Sequence, residues 1–265
     1  MLCLRSLLAA IVALLTMGGP CLAGAITDIP ADGDHKSLPI YLARPPGTGP
    51  FPAVVVLHGC GGFNGVVASW TDRLAYWGYV AVAVDSLTTR GHRTGCAGGS
   101  YDQLYDAYRA LNFLASQPFV RTDRIGLLGI SLGAGATLTA FEKGGIEQRF
   151  ARKFRAAVAF YPPCAGSSGI MLGPTLVLIG EQDDWTPAVD CRDMIAGLSG
   201  IGISRQPADR SMVELVVYPD THHSFLAVAD RAGTRFMGHW LQYNESATED
   251  ASDRVRAFFR RTLGD

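Results

Sequence analysis

The sequence predicts an α/β fold, a mostly parallel sheet with helices on both faces. Three observations predict it. Short apolar runs rich in Val, Ile and Leu alternate with stretches whose apolar residues recur at helical spacing. The runs lack polar alternation, as strands covered on both faces require. In such a sheet ligands sit beyond the carboxyl ends of the strands, and residue types suited to catalysis (Ser131, Asp183, His223) fall just after apolar runs.

The elements follow in order. Leu38–Ala43 reads as an antiparallel edge strand, and Pro45–Pro52 as a loop. Ala53–Leu57 (AVVVL) is the first core strand, bounded by Pro52 and by His58-Gly59. Helical spacing then runs to Trp77, where Gly78 stops it. Tyr79–Val84 is a second core strand, ending at Asp85. Tyr101–Ser116 carries Leu104, Tyr108, Leu111 and Leu114 at helical spacing. Arg124–Ile130 is a strand and Leu132–Phe141 a helix, ended by Gly144-Gly145. Ala156–Tyr161 and Thr175–Ile179 are strands, and Pro187–Leu198 is a helix with Pro at its start. Val213–Tyr218 is the last core strand. Ser252–Leu263 closes the chain as an amphipathic helix with Ser252 as candidate N-cap. No repeat, linker or low-complexity tract interrupts the pattern, so one domain is expected.

The chain has 265 residues, a net charge of −1, 48% hydrophobic and 18% charged residues, which favours a large core and excludes disorder. The near-neutral balance leaves no basic footprint for nucleic acid and no polybasic membrane signal. The amino terminus is Met1-Leu-Cys-Leu-Arg5, an uncharged stretch from Ser6 to Met17, then small residues to Ala25. That is the layout of a signal peptide, with cleavage after Ala25 or else after Ala23. The run is shorter than the roughly 20 residues that span a bilayer. Residues 1–25 are therefore read as a leader, 26–265 as the domain, and the protein as exported without stable membrane association. Removing Cys3 and Cys21 leaves Cys60, Cys96, Cys164 and Cys191. An even number in an exported chain suggests two disulfides with three pairings open. Cys60–Cys96 with Cys164–Cys191 is favoured, because each bond would tie loops at one end of the sheet. With no Cys-x-x-Cys pair, a zinc site is not expected.

Gly129-Ile-Ser131-Leu-Gly133 is Gly-x-Ser-x-Gly between a strand and a helix, the context of a nucleophile elbow. A serine hydroxyl needs a base, and the elbow's fold places Asp or Glu and then His after later strands. Gly180-Glu-Gln-Asp183-Asp184-Trp185-Thr186-Pro187 follows one strand, and His222-His223-Ser224-Phe225 follows the next. Each candidate is one of an adjacent pair, and loops have no periodicity with which to choose. Asp184 could instead cap the helix that Pro187 starts. For the oxyanion, backbone N–H groups are expected from Leu132 and from the loop His58-Gly59-Cys60-Gly61-Gly62, with Cys60 favoured there. Arg90 and Trp185 are candidate substrate contacts.

Together these pieces resemble the dienelactone hydrolase family of α/β-hydrolases. The matching residues are Leu57-His58-Gly59-Cys60-Gly61-Gly62, Asp85-Ser86 with Arg90-Gly91, Gly129–Gly133, Gly180–Pro187 and His223-Ser224-Phe225. The resemblance implies the α/β-hydrolase fold. It selects Asp183, fourth in a Gly-x-x-Asp turn, and His223, directly before a small residue and Phe. The chain departs from the founding enzymes by using Ser131 where they have Cys. It has His58-Gly59 where they carry Glu. It also lacks a matched Arg after the His-Ser-Phe motif, because Leu226-Ala227-Val228 follows and Arg231 and Arg235 come too late. The expectation is an exported serine hydrolase of small-molecule esters or lactones that needs no cofactor or metal. The rivals are a prolyl-oligopeptidase-like peptidase and a non-catalytic binding protein on a hydrolase scaffold.

Overall fold

The computed structural model of the chain describes residues 24–33, 35–97, 102–198 and 207–265. One eight-stranded sheet organises them. Its strands are β1 (Ala25–Ile29), β2 (Leu38–Ala43), β3 (Phe51–Leu57), β4 (Val80–Val84), β5 (Val120–Ile130), β6 (Ala157–Phe160), β7 (Thr175–Gly180) and β8 (Val213–Tyr218). They lie in the order β1-β2-β4-β3-β5-β6-β7-β8. β1 and β2 are antiparallel to their neighbours, and every pair from β4 to β8 is parallel.

Helices α1 (Gly65–Tyr76), α2 (Gln103–Ala115), α3 (Leu132–Phe141), α4 (Ala188–Ala196) and α5 (Glu245–Leu263) flank the sheet. The sheet grows one way from β3 to β4 and the other way from β4 to β5. Right-handed crossovers therefore put α1 on one face and α2 on the other. The reversal opens a crevice beside the carboxyl ends of β3 and β5, which is where ligands bind in sheets of this kind. The sheet core is dry: Val54, Val55, Val56 and Leu57 of β3 and all of Val80–Val84 of β4 have no exposed surface. Each such Val or Leu side chain contributes about 1.5–3 kcal/mol relative to exposure, so the crevice is set on a rigid base.

Four features depart from the sequence expectation. β2 is antiparallel as expected but is not the edge, because β1 pairs outside it. β1 escaped notice because only Ile29 of its five residues is buried, so it carries no apolar pattern. The terminal helix begins at Glu245, not Ser252. Asn244 caps it, its side chain accepting from Ala247 N–H at 3.1 Å, while Ser252 accepts from Arg73 Nη1 at 2.7 Å. A short hairpin, β9 (Thr234–Phe236) and β10 (His239–Leu241), is also new. The expected leader lies outside the described residues except for Gly24 and Ala25. Those two are part of the fold: Ala25 pairs with Leu42, and Gly24 N–H meets the Tyr41 hydroxyl at 2.8 Å and Asp72 Oδ1 at 3.2 Å. Among the described residues no helix is long and apolar enough to cross a membrane.

Candidate active site

Ser131 stands between the end of β5 and the start of α3, at φ 54° and ψ −116°. That backbone region is strained for an L-residue, by about 1–3 kcal/mol. Its surroundings leave no room for relaxation. A Cβ at Gly129 would lie 2.2 Å from Gly133 O and 2.3 Å from Thr137 Oγ1, and one at Gly133 would lie 2.5 Å from His58 O. The two glycines of the elbow are therefore required by packing. Ser131 N–H donates to Phe160 O at 2.9 Å, and Ser131 O accepts from Ala134 and Gly135. The serine is thus held by both β6 and the first turn of α3.

The loops after β7 and β8 bring Asp183 and His223 to the serine. Ser131 Oγ lies 3.0 Å from His223 Nε2, and His223 Nδ1 lies 2.7 Å from Asp183 Oδ2. A carboxylate only accepts, so Nδ1 carries the ring proton and Nε2 offers its lone pair to the serine hydroxyl. Asp183 and His223 are both buried. The carboxylate is further fixed by Trp185 N–H at 3.0 Å, Thr186 N–H at 2.8 Å and Thr186 Oγ1 at 2.9 Å. The other members of the adjacent pairs point elsewhere. His222 Nδ1 lies 3.0 Å from Gln182 O. Asp184 does not cap α4; its carboxylate accepts from Trp240 N–H at 3.0 Å and so ties the hairpin to the acid loop.

The loop after β3 passes close over the serine: a Cβ on Gly59 would sit 3.4 Å from Ser131 Cβ. Among the described residues, the N–H groups of Cys60 and Leu132 have no protein partner. The Cys60 carbonyl is engaged, accepting from Gly95 N–H at 2.7 Å and Thr94 Oγ1 at 3.2 Å. Beneath the loop His58 is fully buried. Its Nε2 accepts from Ser86 N–H at 3.2 Å, its Nδ1 lies 2.7 Å from Gly59 O, and Gln103 Nε2 donates to its carbonyl at 2.9 Å. Burial holds the His58 pKa below its usual value, so the ring is a neutral structural support. Disulfides join Cys60 to Cys96 and Cys164 to Cys191, the pairing favoured from the sequence. The first ties the loop after β3 to the segment after β4. The second ties the loop after β6 to α4.

A cavity of about 770 Å³ opens on these groups, with Gly59, Cys60, Ser131, Tyr161, Trp185 and His223 in its wall. Trp185 is in the wall as expected, and its ring also lies 5.2 Å from that of His223. Arg90 is not. Its guanidinium grips the fully buried Asp106 at 2.7 and 2.9 Å, and the cavity wall does not include the expected contact. A buried carboxylate without its cation would be severely destabilising, which explains the capture.

Sequence reasoning missed two contributors. Tyr161 follows β6 at φ 40°, with its ring 4.7 Å from that of His223. Burial, with the charges of Asp183 and Asp230, pushes its hydroxyl pKa far up. Its place at the end of the apolar run Ala156–Tyr161 was the available signal. Thr186 bridges Asp183 Oδ2 and Tyr161 O, and only its position within the acid turn hinted at that. Among the described residues no group of three His, Cys, Asp or Glu side chains could hold a metal ion.

Comparison with known proteins identifies the family and the fold. The model of the dienelactone hydrolase family matches residues 38–263. A chain of Azospirillum brasilense assigned as a carboxymethylenebutenolidase is 26% identical over 246 residues, 89% of this chain and 98% of that one. Among solved structures, one from Klebsiella pneumoniae assigned as a dienelactone hydrolase superposes with TM-score 0.67 at 23% identity, covering 90% of this chain and 98% of that one. Dipeptidyl peptidase 4 of Porphyromonas gingivalis superposes with TM-score 0.63 at 18% identity, but 91% of this chain matches only 35% of the peptidase.

Proposed function

The chain belongs to the dienelactone hydrolase family of α/β-hydrolases, and we propose that it cleaves carboxylic esters or lactones through an acyl-enzyme on Ser131. One observation carries the reading. Ser131 Oγ, His223 and Asp183 form an unbroken chain of 3.0 and 2.7 Å contacts at the wall of a cavity. His223 Nε2 takes the hydroxyl proton as Ser131 Oγ attacks the ester carbonyl carbon. The N–H groups of Cys60 and Leu132 receive the oxygen on which negative charge develops, at the amino end of α3, whose dipole favours that charge. His223 returns its proton to the departing alcohol. Water then attacks the acyl-serine by the same steps and frees the acid. Asp183 keeps the proton on Nδ1 and stabilises the imidazolium in between.

The roles are tested with Ser131→Ala on a nitrophenyl ester. Turnover should fall at least about a thousandfold while the fold survives, in line with what is lost when a triad member is removed. Turnover within tenfold of the parent would remove Ser131 from the reaction. Export is part of the same reading and is supported by the two disulfides and the apolar amino terminus. Cleavage after Ala23 fits better than after Ala25, because the latter would remove Gly24 and Ala25 from their places on β2 and α1. The mass of the exported chain should correspond to a start at Gly24.

A further inference from the structure

Helix α1 forms one wall of the cavity. Val66, Trp70 and Arg73 recur at helical spacing and all line it. Val66 lies near the amino end of α1, beside the loop that carries Cys60, and Arg73 lies seven residues on. At 1.5 Å per residue these positions are about 10 Å apart. Apolar lining comes from Val67 and Trp70 of α1 and from Leu226 and Phe236 of the segment after His223, and Ser69, Asp230 and Thr248 add polar groups. Arg73 lines the same cavity from the last turn of α1. Its Nη1 donates to Ser252 Oγ at 2.7 Å and its guanidinium carbon lies 5.2 Å from the Trp70 ring centre, so the charge is held in place.

We propose that this trench is a length gauge for the apolar arm of a neutral ester, with α1 as its graduated wall and Arg73 as its stop. The inference rests on Ser131 being the nucleophile. An unbranched arm leaving the reacting carbonyl lies along Val66, Val67 and Trp70, and each buried methylene raises kcat/KM by up to about fourfold. An arm that reached Arg73 would strip water from a guanidinium whose partner is only a hydroxyl, which is unfavourable. Gain with length therefore ends there. The preferred substrates are esters of medium-length apolar groups, in place of small or doubly functional ones.

The test is kcat/KM for nitrophenyl acetate, butyrate, octanoate and palmitate, and for acetate esters of alcohols of matching lengths, since the arm can belong to either side of the ester. One series should rise at least about tenfold to octanoate or octyl and fall again at palmitate or hexadecyl. Val66→Trp, which blocks the near end, should cut the octanoate-to-acetate ratio (or its alcohol counterpart) at least tenfold. Arg73→Leu should move the optimum to longer arms. A flat or falling profile in both series overturns the gauge, as does a Val66→Trp ratio equal to that of the parent. So does a nitrophenyl monosuccinate preferred over butyrate. Labelling of Ser131 by a fluorophosphonate separates the two readings: labelling with a flat profile removes only the gauge, while no labelling and no acetate turnover removes the serine mechanism and the gauge with it.

Discussion

Replacing Asp183 with asparagine preserves the shape of the side chain and removes one charge and one acceptor. The carboxylate receives four hydrogen bonds. Trp185 N–H and Thr186 N–H meet Oδ1, and His223 Nδ1 and Thr186 Oγ1 meet Oδ2. Backbone donors cannot turn away, so the single amide oxygen of Asp183→Asn must stay on the Oδ1 side. Its NH2 then faces His223. The Thr186 hydroxyl can adapt, since it already lies 3.1 Å from Tyr161 O. His223 can adapt only by accepting at Nδ1, which moves its proton to Nε2 and aims it at Ser131 Oγ. The base has then lost the lone pair it needs. The same replacement in serine proteases lowers kcat about 10⁴-fold, about 5.4 kcal/mol at 1.36 kcal/mol per decade. The expected outcome is a loss of that order in kcat on a nitrophenyl ester, with a circular dichroism spectrum matching the parent. A loss below tenfold in a folded variant would refute the tautomer argument.

Three further predictions follow from the surroundings of the site. The double replacement Cys60→Ser with Cys96→Ser should lower kcat ten- to hundredfold with little change in KM. That is less than the 10²–10³ for a deleted oxyanion donor, because the backbone N–H at position 60 is loosened and not removed; equal kcat in the two proteins would sever the loop from catalysis. Arg90→Ala leaves Asp106 buried without its closest cation and should destabilise the fold by about 3 kcal/mol in urea. KM for esters should stay within twofold, and a large rise confined to anionic esters would restore Arg90 as a substrate contact. His58 has a lowered native pKa, so the unfolded chain binds its proton first as pH falls through about 6.5. Native stability should therefore decline as pH falls from there toward the native pKa. His58→Gln should flatten thermal stability there, and an unchanged slope would assign it to another group.

Much of the fold was legible because its strands are buried on both faces. β3, β4, β6 and β7 announced themselves as unbroken apolar runs, and β8 as a slightly weaker one. β1 and the β9–β10 hairpin did not, since their residues are mostly exposed or half-buried and carry no period. Ser131 could be placed from local context, because the crowding around Gly129 and Gly133 leaves a mark in the sequence. Asp183 and His223 could be narrowed only to adjacent pairs from the residues themselves, since loop direction depends on contacts far along the chain. One such contact is the Asp184 bond to Trp240 N–H. Arg90 misled for the same reason. Its partner Asp106 is sixteen residues away on α2, and nothing in the sequence marks that carboxylate as fully buried.

The Cys60–Cys96 bond carries a consequence beyond stability. It fastens the loop that carries the Cys60 N–H, the oxyanion donor of the proposed mechanism, to the segment after β4. The second bond, Cys164–Cys191, anchors α4 directly after the acid loop, so on the proposed mechanism an oxidant would tighten both the anion cradle and the support of Asp183. On that mechanism a chain still inside a reducing cytosol would have slacker loops at both places, and its own cell's esters would be poor prey. Crossing into an oxidising compartment would finish the enzyme, so that the place of folding doubles as its activation signal.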